Sequence, residues 1–167
     1  AGIDYLLCEA NTIASGTTAG TTAVISAQHG ALYSELIKKF GAERAKLYLK
    51  ANLEALREFR DICLSVDCDF EEKPSYVYSR FDVSRMQSEA GDVVSLGFPA
   101  ELVDEIPLPI KIAAAVKFPG QAEFHPLKFI AGICPGMNIR EGAQIKKIDG
   151  HIAYTAGHKI SVKKIII

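Results

Sequence analysis

The fold is decided by a long amphipathic segment, residues 42–64, which reads AERAKLYLKANLEALREFRDICL. Its apolar residues recur at the spacing of one helix face, and they are Ala45, Leu49, Leu53, Leu56 and Cys63. Gly41 separates this segment from a shorter helical pattern at residues 31–40, because glycine commonly ends a helix. The sequence therefore predicts two consecutive helices, of which the longer needs an apolar surface to pack against.

The stretch that follows the long helix changes from a helical to an alternating pattern. Short strands are predicted at residues 70–73 and 75–80, on either side of a proline, and another at 110–118. Between them, Asp82 is placed to cap a helix at residues 83–96, because aspartate accepts hydrogen bonds from free backbone N–H groups. The sequence thus predicts an α+β fold with helices packed on an antiparallel sheet.

Both ends of the sequence carry apolar runs of a different kind. Residues 5–9 read as a short buried strand that ends in an acid, Glu9. The tail has strand patterns at 144–148, 151–154 and 159–167, separated by turn sequences. These end segments indicate strands of a second layer beside the antiparallel sheet.

The composition excludes several classes of protein. Apolar residues make up 49% of the 167 residues and the formal net charge is -1, which is atypical of disordered chains and of dedicated nucleic-acid-binding proteins. No apolar run is long enough to cross a bilayer, and no signal-peptide pattern opens the sequence. Because the four cysteines and four histidines show no metal-ligand spacing, we expect free cysteines, no metal site and a cytoplasmic location.

Glu9 and the loop of small residues after it form the first pattern with chemical content. Residues 14–22 read ASGTTAGTT. An acid at the end of a strand can accept hydrogen bonds from a ribose, and glycines with hydroxyl side chains let a loop approach phosphates. From the residues alone, a plain surface acid is the alternative. Neither a G-x-G-x-x-G turn nor a P-loop motif occurs in the sequence.

Three segments, in this order, carry a resemblance to a known family. They are Cys8-Glu9-Ala10, then residues 15–30 with SGTTAGTTA and Gln28-His29-Gly30, then residues 118–129, FPGQAEFHPLKF. Together they resemble the FAD-dependent superfamily of glycine, sarcosine and D-amino-acid oxidases, and most closely its bacterial members that often carry a C-terminal Rieske module. Because the family's glycine motif is missing, the sequence is expected to be an internal part of a longer enzyme.

The resemblance implies FAD as the cofactor and a division into three segments. Residues 1–30 and 137–167 would belong to a Rossmann-like α/β FAD-binding domain, and residues 31–136 to a substrate-binding domain. Glu9 would bind the adenosine ribose, and Ile145 would offer a backbone contact to adenine. The residues implied to line the pyrophosphate and the flavin are Ser15, Gly16, Thr17, Thr18, Gly20, Thr21 and Thr22.

Five polar side chains are candidates for substrate binding: His29, Tyr76, Tyr78, Gln121 and His125. His29 follows the loop and would lie close to the flavin, with a hydrogen-bonded structural histidine as the alternative. Tyr76 and Tyr78 share one strand face, which suits either a substrate carboxylate or aromatic packing under a helix. Gln121 suits a pocket or plain solvent, and His125 suits a pocket or the cap of the helix that follows it.

The expected function is the oxidation of an amine or amino acid by hydride transfer to FAD. No catalytic side chain is identified, because the flavin carries the difficult chemistry. The isolated chain is expected to be inactive and not to retain FAD. The alternative is a non-catalytic binding or interaction domain without a cofactor. A second copy of the chain is an expected partner, since the apolar strands at residues 5–8 and 162–167 would leave open backbone edges.

Overall fold

A computed structural model describes residues 3–167, so the first two residues of the predicted segment 1–30 lie outside the described part. The chain forms two compact units: a larger unit, Thr22–Phe129, and a smaller unit made of residues 3–21 and Ile130–Ile167. Helices occur together with antiparallel sheets, so the predicted α+β class is confirmed. The predicted functional division at residues 30 and 136 stays a prediction.

Four α-helices occur in the described part of the chain: α1 Tyr33–Phe40, α2 Ala42–Cys63, α3 Val83–Ser95 and α4 Pro126–Ile133. The first three belong to the larger unit, and α4 begins in the larger unit and ends in the smaller one. Gly41 joins α1 to α2 at φ 81°, a conformation that favours glycine, and its N–H donates to the Ile37 carbonyl. The helices predicted from the periodicity are therefore present within a few residues of their predicted bounds.

The sheet of the larger unit is built around one central strand. Its four strands are β2 Val24–Ile25, β3 Glu71–Ser79, β4 Glu101–Val103 and β5 Ala114–Glu123. Strand β3 pairs with β5 along its whole length, whereas β2 and β4 pair with opposite ends of β5, and every pairing is antiparallel. Because β3 occupies one edge of β5, β2 and β4 share the other edge and leave a gap between them.

Two predicted strand boundaries in this sheet are wrong. The predicted pair 70–73 and 75–80 is one strand, because a bulge keeps Pro74 within the ladder opposite Pro119 and Gly120. The strand predicted at 110–118 instead covers Ala114–Glu123. Its predicted start is lost because the Leu108 and Ile110 amides bond to carbonyls two residues back, at 2.7 and 2.8 Å, so the backbone turns there.

The core of the larger unit lies between the helices and one face of the sheet. Its fully buried members include Tyr33 from α1, Val93 from α3, and Val116 and Phe118 from β5. Phe118 is stacked on Tyr33 with ring centroids 6.0 Å apart, and it packs against Phe98 at 4.8 Å. These contacts fix α1 and α3 on the same face of the sheet.

A buried carboxylate ties α3 to the start of α1. Glu89 is 1% exposed, and its two oxygens accept the backbone N–H groups of Tyr33 and Ser34 at 2.8 and 2.9 Å. Helix α1 has no side-chain cap of its own at Leu32, so Glu89 satisfies amides that the helix leaves free. This contact explains why α1 begins at Tyr33 rather than at the predicted residue 31.

The smaller unit contains short strands only. Strand β1 Leu7–Cys8 pairs in parallel with β6 Ile139–Arg140. A separate antiparallel sheet has the order β7 Lys147–Asp149, β8 Ile152–Tyr154 and β9 Lys159–Ser161. The predicted strand 159–167 is wrong beyond Ser161, because the Val162 amide already bonds to the turn residue His151 and β8 offers no partner further along.

Two properties of the described residues bear on function. None of the helices they form is long and apolar enough to cross a bilayer. No cluster of three or more histidine, cysteine, aspartate or glutamate side chains among residues 3–167 is arranged to hold a metal ion. All four cysteines, which lie within this range, carry free thiols.

Candidate functional site

Glu9 lies at the carboxyl end of β1, where β6 also ends. The Glu9 N–H donates to the Arg140 carbonyl at 3.0 Å, and the Glu9 carbonyl accepts the Ala143 N–H at 2.8 Å. Its side-chain Oε1 accepts the Asn11 N–H at 2.9 Å, which turns the chain sharply after the strand. The half-buried carboxylate therefore sits at the common end of two parallel strands, the position at which open α/β sheets bind ligands.

The loop of small residues leaves Glu9 and is held in place from one side. The Ile13 N–H donates to the Glu141 carboxylate at 2.7 Å, and the Ser15 hydroxyl donates to the Thr12 carbonyl at 2.7 Å. A 3-10 turn, Thr17–Gly20, follows. The predicted cofactor residues of this loop are all exposed: Ser15, Gly16, Thr17, Thr18, Gly20 and Thr21 in the smaller unit, and Thr22 in the larger one.

Two alanines flank this loop in an unusual backbone conformation. Ala14 has φ 59° and Ala23 has φ 56°, a left-handed region that costs a non-glycine residue about 1–2 kcal/mol. Strain of this kind is concentrated at ligand-binding segments, where the surrounding structure holds it in place. The loop is therefore flanked at both ends by residues in this unfavourable conformation.

Ile145 belongs to the segment that the structure brings beside Glu9. Ala143 is bound to the Glu9 carbonyl, and the Gly142 N–H donates to the Asn11 carbonyl at 2.9 Å. Ile145 itself is half-buried two residues further on, before β7 begins. Glu9, the start of the small-residue loop and the segment leading to Ile145 are thus neighbours in the smaller unit, and their contacts with a cofactor stay a prediction.

His29 is exposed in the larger unit and has a tyrosine partner that the sequence did not indicate. Its Nδ1 lies 2.9 Å from the hydroxyl of Tyr48, and the two rings meet edge-on at 6.1 Å. Tyr48 in turn lies edge-on to Tyr33, which donates to the Ala27 carbonyl at 2.6 Å. Burial raises the pKa of Tyr33 well above its ordinary value, and Tyr48 and Glu89 add to the increase. Tyr33 therefore stays protonated under all ordinary conditions.

Gln121 is buried and bridges the gap on the β5 edge. Its Oε1 accepts the Ala27 N–H at 2.7 Å and the Ser26 hydroxyl at 3.1 Å, and its Nε2 donates to the Pro119 carbonyl at 2.8 Å. Gln28 adds a second contact to β5, since its Nε2 donates a hydrogen bond to the Val116 carbonyl at 2.9 Å. These hydrogen bonds hold the segment before His29 against β5, and they give Gln121 a structural role. Substrate contact by Gln121 stays a prediction.

The other predicted substrate residues occupy separate places. Tyr76 and Tyr78 are opposite Lys117 and Ala115 in the ladder, on the face away from the core residue Val77. His125 precedes α4 and acts as its cap: its carbonyl accepts the Phe129 N–H at 2.9 Å, and its Nδ1 lies 3.4 Å from the Lys128 amide. The structure therefore does not bring the two tyrosines to the sheet face that carries Gln121.

Comparison with known proteins gives the family. The sequence profile of the FAD dependent oxidoreductases, DAO, matches residues 1–167. The chain belongs to this family. A Bacillus subtilis protein, YhfW, whose name describes a Rieske 2Fe-2S iron-sulfur protein, is 32% identical over 148 residues, which are 86% of this chain and 29% of that protein. The chain thus spans less than a third of this curated relative.

Solved structures of oxidoreductases share the fold. Glycine oxidase from Geobacillus kaustophilus gives a TM-score of 0.69 at 17% identity, over 95% of this chain and 46% of that one. Glycine oxidase from Bacillus cereus gives 0.62 at 17% identity, over 96% and 47%. L-proline dehydrogenase from P. horikoshii gives 0.58 at 12% identity, over 93% and 50%. At these identities the likeness concerns the fold, and the chain spans about half of each structure.

The chemistry of the smaller unit fits one part of the cofactor of this family. FAD offers ribose hydroxyls, which can donate hydrogen bonds to a carboxylate such as that of Glu9. It also offers phosphate oxygens, which can accept hydrogen bonds from the exposed hydroxyls of the loop. The half-buried apolar side chain of Ile145 lies in the segment beside Glu9. A glycine-rich turn that opens a helix, the usual partner of the pyrophosphate, is not part of this sequence. The residues present therefore suit the ribose and part of the phosphate contacts.

Proposed function

We propose that the protein to which this chain belongs oxidises a small amine or amino acid by hydride transfer to FAD. Membership of the FAD dependent oxidoreductases supports the flavin chemistry. The observation that carries the proposal is the position of Glu9, at the common end of β1 and β6 and hydrogen-bonded through its carbonyl to Ala143. In the bound state FAD supplies the hydride acceptor, and the protein supplies binding and orientation.

We assign the cofactor contacts to the neighbouring residues of the smaller unit. The Glu9 carboxylate would accept hydrogen bonds from the ribose, and the backbone at Ile145 would contact adenine. The set is Ser15, Gly16, Thr17, Thr18, Gly20 and Thr21, with Thr22 continuing it. The glycines would allow close approach and the threonine hydroxyls would donate to phosphate oxygens, while Ser15, whose hydroxyl donates to the Thr12 carbonyl, would line the site. The strained conformation of Ala14 supports a loop that is shaped before the cofactor arrives.

We assign candidate substrate contacts to the larger unit as alternatives in separate places: Tyr76 and Tyr78 on one face of the sheet, Gln121 on the other, and His29 and His125 outside the strands. The strongest support is for His29, since its Nδ1 is occupied by the Tyr48 hydroxyl and its Nε2 faces no partner on α2. A hydrogen bond to one ring nitrogen fixes which tautomer the neutral histidine adopts. For Gln121 and His125 the bonds to Ala27 and to α4 support an indirect role, in which they hold the backbone beside a substrate.

The cofactor assignment is tested by replacing Glu9 in the full-length protein. Glu9→Ala should weaken FAD binding by about 1–3 kcal/mol, the value of hydrogen bonds to a charged group, and Glu9→Gln should weaken it less. Equilibrium dialysis of FAD against the apoprotein measures the dissociation constants. Glu43→Ala removes an exposed acid at the start of α2 and is the matched control. Equal FAD affinity in the Glu9→Ala and Glu43→Ala proteins would remove Glu9 from the ribose.

The reaction class is tested separately by anaerobic reduction of the bound flavin. Glycine, sarcosine, proline and D-amino acids are added in turn to the oxidised full-length protein, and the loss of flavin absorbance is followed. At least one primary or secondary amine should reduce the flavin. A flavin that stays oxidised with every amine, while dithionite reduces it, would contradict amine oxidation and leave the FAD assignment intact.

The remaining parts of the proposal concern the chain alone and its surroundings. An isolated chain of these 167 residues would be inactive and would not retain FAD, because the helix start that neutralises the pyrophosphate is not among them. The four free thiols support a reducing, cytoplasmic location. A small-molecule substrate and a second copy of the chain are the proposed partners, and nucleic acid is not.

A further inference from the structure

A cleft opens in the larger unit between α2 and the end of α3. Its volume is about 600 Å³, which lies within the range of roughly 300–1,000 Å³ that small-molecule pockets occupy. Four leucines form its apolar floor: Leu49, Leu53, Leu56 and Leu96. The cleft therefore has the size and the lining of a site for a small organic molecule.

Two glycines are among the residues that line the cleft beside α2. Leu53 lies on the same stripe as Leu49 and Leu56, which are 3% and 9% exposed, yet Leu53 is only half-buried. Gly97, at the end of α3, has φ 95°, and Gly120, in the β5 bulge, has φ 64°. A Cβ atom added at either glycine would meet no atom within 4 Å. These backbone conformations favour glycine, and neither residue has a side chain to occupy the space beside it.

Positive charge dominates the rim of the cleft. Four basic side chains line it, Lys46, Lys50, Arg57 and Arg60, against one carboxylate, Glu72. The Arg60 guanidinium is paired with the Glu72 carboxylate at 2.7 Å, so these two charges balance each other.

The positive charges of the other basic residues of the rim are only weakly balanced by nearby carboxylates. Lys50 and Arg57 share Glu54 at 3.7 and 3.9 Å, and both side chains are exposed. Lys46 makes no ion pair with any residue of the described range 3–167. Exposed pairs at such distances contribute little, so these cations remain available to a ligand.

We propose that this cleft binds a small organic anion with an apolar body and a carboxylate or phosphate head group. The apolar body would lie on Leu53 and the neighbouring leucines, where burial is favourable. The head group would meet Lys46, Lys50 and Arg57, whose side chains donate hydrogen bonds to either kind of anion. A neutral apolar molecule would use the floor but leave the rim unpaired. The inference uses only residues of the larger unit and does not depend on the FAD assignment.

The proposal is tested with four probes on the full-length protein by titration calorimetry. Octanoate and octyl phosphate carry both an apolar chain and an anionic head group, 1-octanol lacks the charge, and acetate lacks the chain. Octanoate or octyl phosphate should bind at least about tenfold more tightly than 1-octanol and acetate. The ranking of the two anions identifies the preferred head group. If neither octanoate nor octyl phosphate binds more tightly than 1-octanol, the proposal is overturned.

Two variants locate the site, and a third is the matched control. Leu53→Trp should fill the cleft, and Lys46→Glu combined with Lys50→Glu should repel the head group; each should weaken octanoate by about tenfold or more. Lys38→Glu combined with Lys39→Glu changes the net charge equally on the exposed end of α1 and should leave the affinity unchanged. Circular dichroism establishes whether each variant is folded. If Leu53→Trp does not fold, the site is tested with the Lys46→Glu and Lys50→Glu variant alone. Equal octanoate affinity in the two charge variants would overturn the proposal.

Discussion

The larger unit has a core of completely buried apolar side chains, whereas the smaller unit leaves nearly all of its own exposed or half-buried. Tyr33, Val93, Val116 and Phe118 are completely buried in the larger unit. In the smaller unit the buried residues, among those described, are two alanines, Ala143 and Ala153. Its strands are two or three residues long. Apolar burial is the main stabilising term in folding, so the larger unit has a stable core of its own and the smaller unit has little.

This difference matches the roles that the two units have in the proposed function. Residues that contact a cofactor must be open to it, and Glu9 with the small-residue loop is exposed or half-buried. Hydrogen bonds such as that from Ile13 to Glu141 hold the loop in place of a core. Ligand-binding segments are commonly drawn from the less stable parts of a protein. The open side chains of the smaller unit thus suit the proposed cofactor contacts, whereas the proposed substrate contacts belong to the unit with the buried core.

The largest expected effect separates the two units by their cores. Phe118→Ala should lower the free energy of unfolding by about 3–5 kcal/mol, because it empties the site between Tyr33 and Phe98. Ile148→Ala in the smaller unit, where the side chain is 41% exposed, should change it by less than about 0.5 kcal/mol. Urea unfolding of both variants measures this. Similar losses would mean that the smaller unit has a core that the burial pattern does not reveal.

The second prediction concerns the polar contact that fixes α1 to α3. Glu89→Ala should destabilise the protein by about 1.5–3 kcal/mol, because two backbone N–H groups at the start of α1 lose a charged acceptor. Gln87→Ala, an exposed change on the same helix, is the control. Hydrogen exchange should become faster at Tyr33 and Ser34 specifically. Unchanged exchange there would show that solvent or another group replaces the carboxylate.

Local patterns in the sequence predict the helices and fail at contacts between distant residues. The apolar stripe of α2 and the stop at Gly41 are local, so both are found where the sequence indicates them. Pro74 reads as a strand break because the sequence does not show that Pro119 and Gly120 bulge opposite it. Nothing local distinguishes the buried Glu89 from a solvated helix acid.

The candidate site shows the same difference between local patterns, which the sequence reveals, and contacts between distant residues, which it does not. Glu9 and the loop form a local pattern, so their place at the end of the first strand could be predicted from the sequence. The pairing of His29 with Tyr48 depends on how α2 lies against the preceding segment. The bonds from Gln121 to Ser26 and Ala27 likewise join segments that are far apart in the chain. Such contacts follow from the tertiary packing, and a single sequence does not reveal them.

The third prediction gives the larger unit a pH dependence at the start of α3. The N–H of Arg85 and the hydroxyl of Ser84 donate to Asp82, and they hold the pKa of that carboxyl below its usual value. A lowered pKa in the folded state stabilises the protein above the carboxyl's ordinary pKa, and this contribution is lost as the pH falls through the folded-state pKa.

Thermal melting from neutral to acidic pH measures this contribution. The melting temperature of the wild type should fall further than that of Asp82→Asn, because asparagine caps a helix without titrating. Asp82→Ala should have a lower melting temperature than either at neutral pH. Parallel pH profiles for the wild type and Asp82→Asn would show that other carboxylates cause the acid sensitivity.

The smallest expected effect is weak self-association through the smaller unit. Strand β9 is at the edge of its sheet, and Ile166 and Ile167 beyond it are 86% and 105% exposed. An open edge beside apolar side chains is a template for pairing with another copy. Lys163 and Lys164 oppose pairing by charge repulsion, which salt screens over about 10 Å at 0.1 M ionic strength. Sedimentation should therefore detect a dimer at high concentration, and more of it as salt is added.

A matched pair of variants shows whether this edge causes the association. Ile166→Ser with Ile167→Ser should shift the dimer towards monomer, because it removes apolar surface next to β9. Ile3→Ser changes an isoleucine that is 76% exposed at the other end of the smaller unit's sequence and should leave the equilibrium unchanged. If Ile3→Ser alone dissolves the dimer, the contact lies at β1 instead. A monomer at every concentration and salt level would show that the short β9 edge is too small to pair.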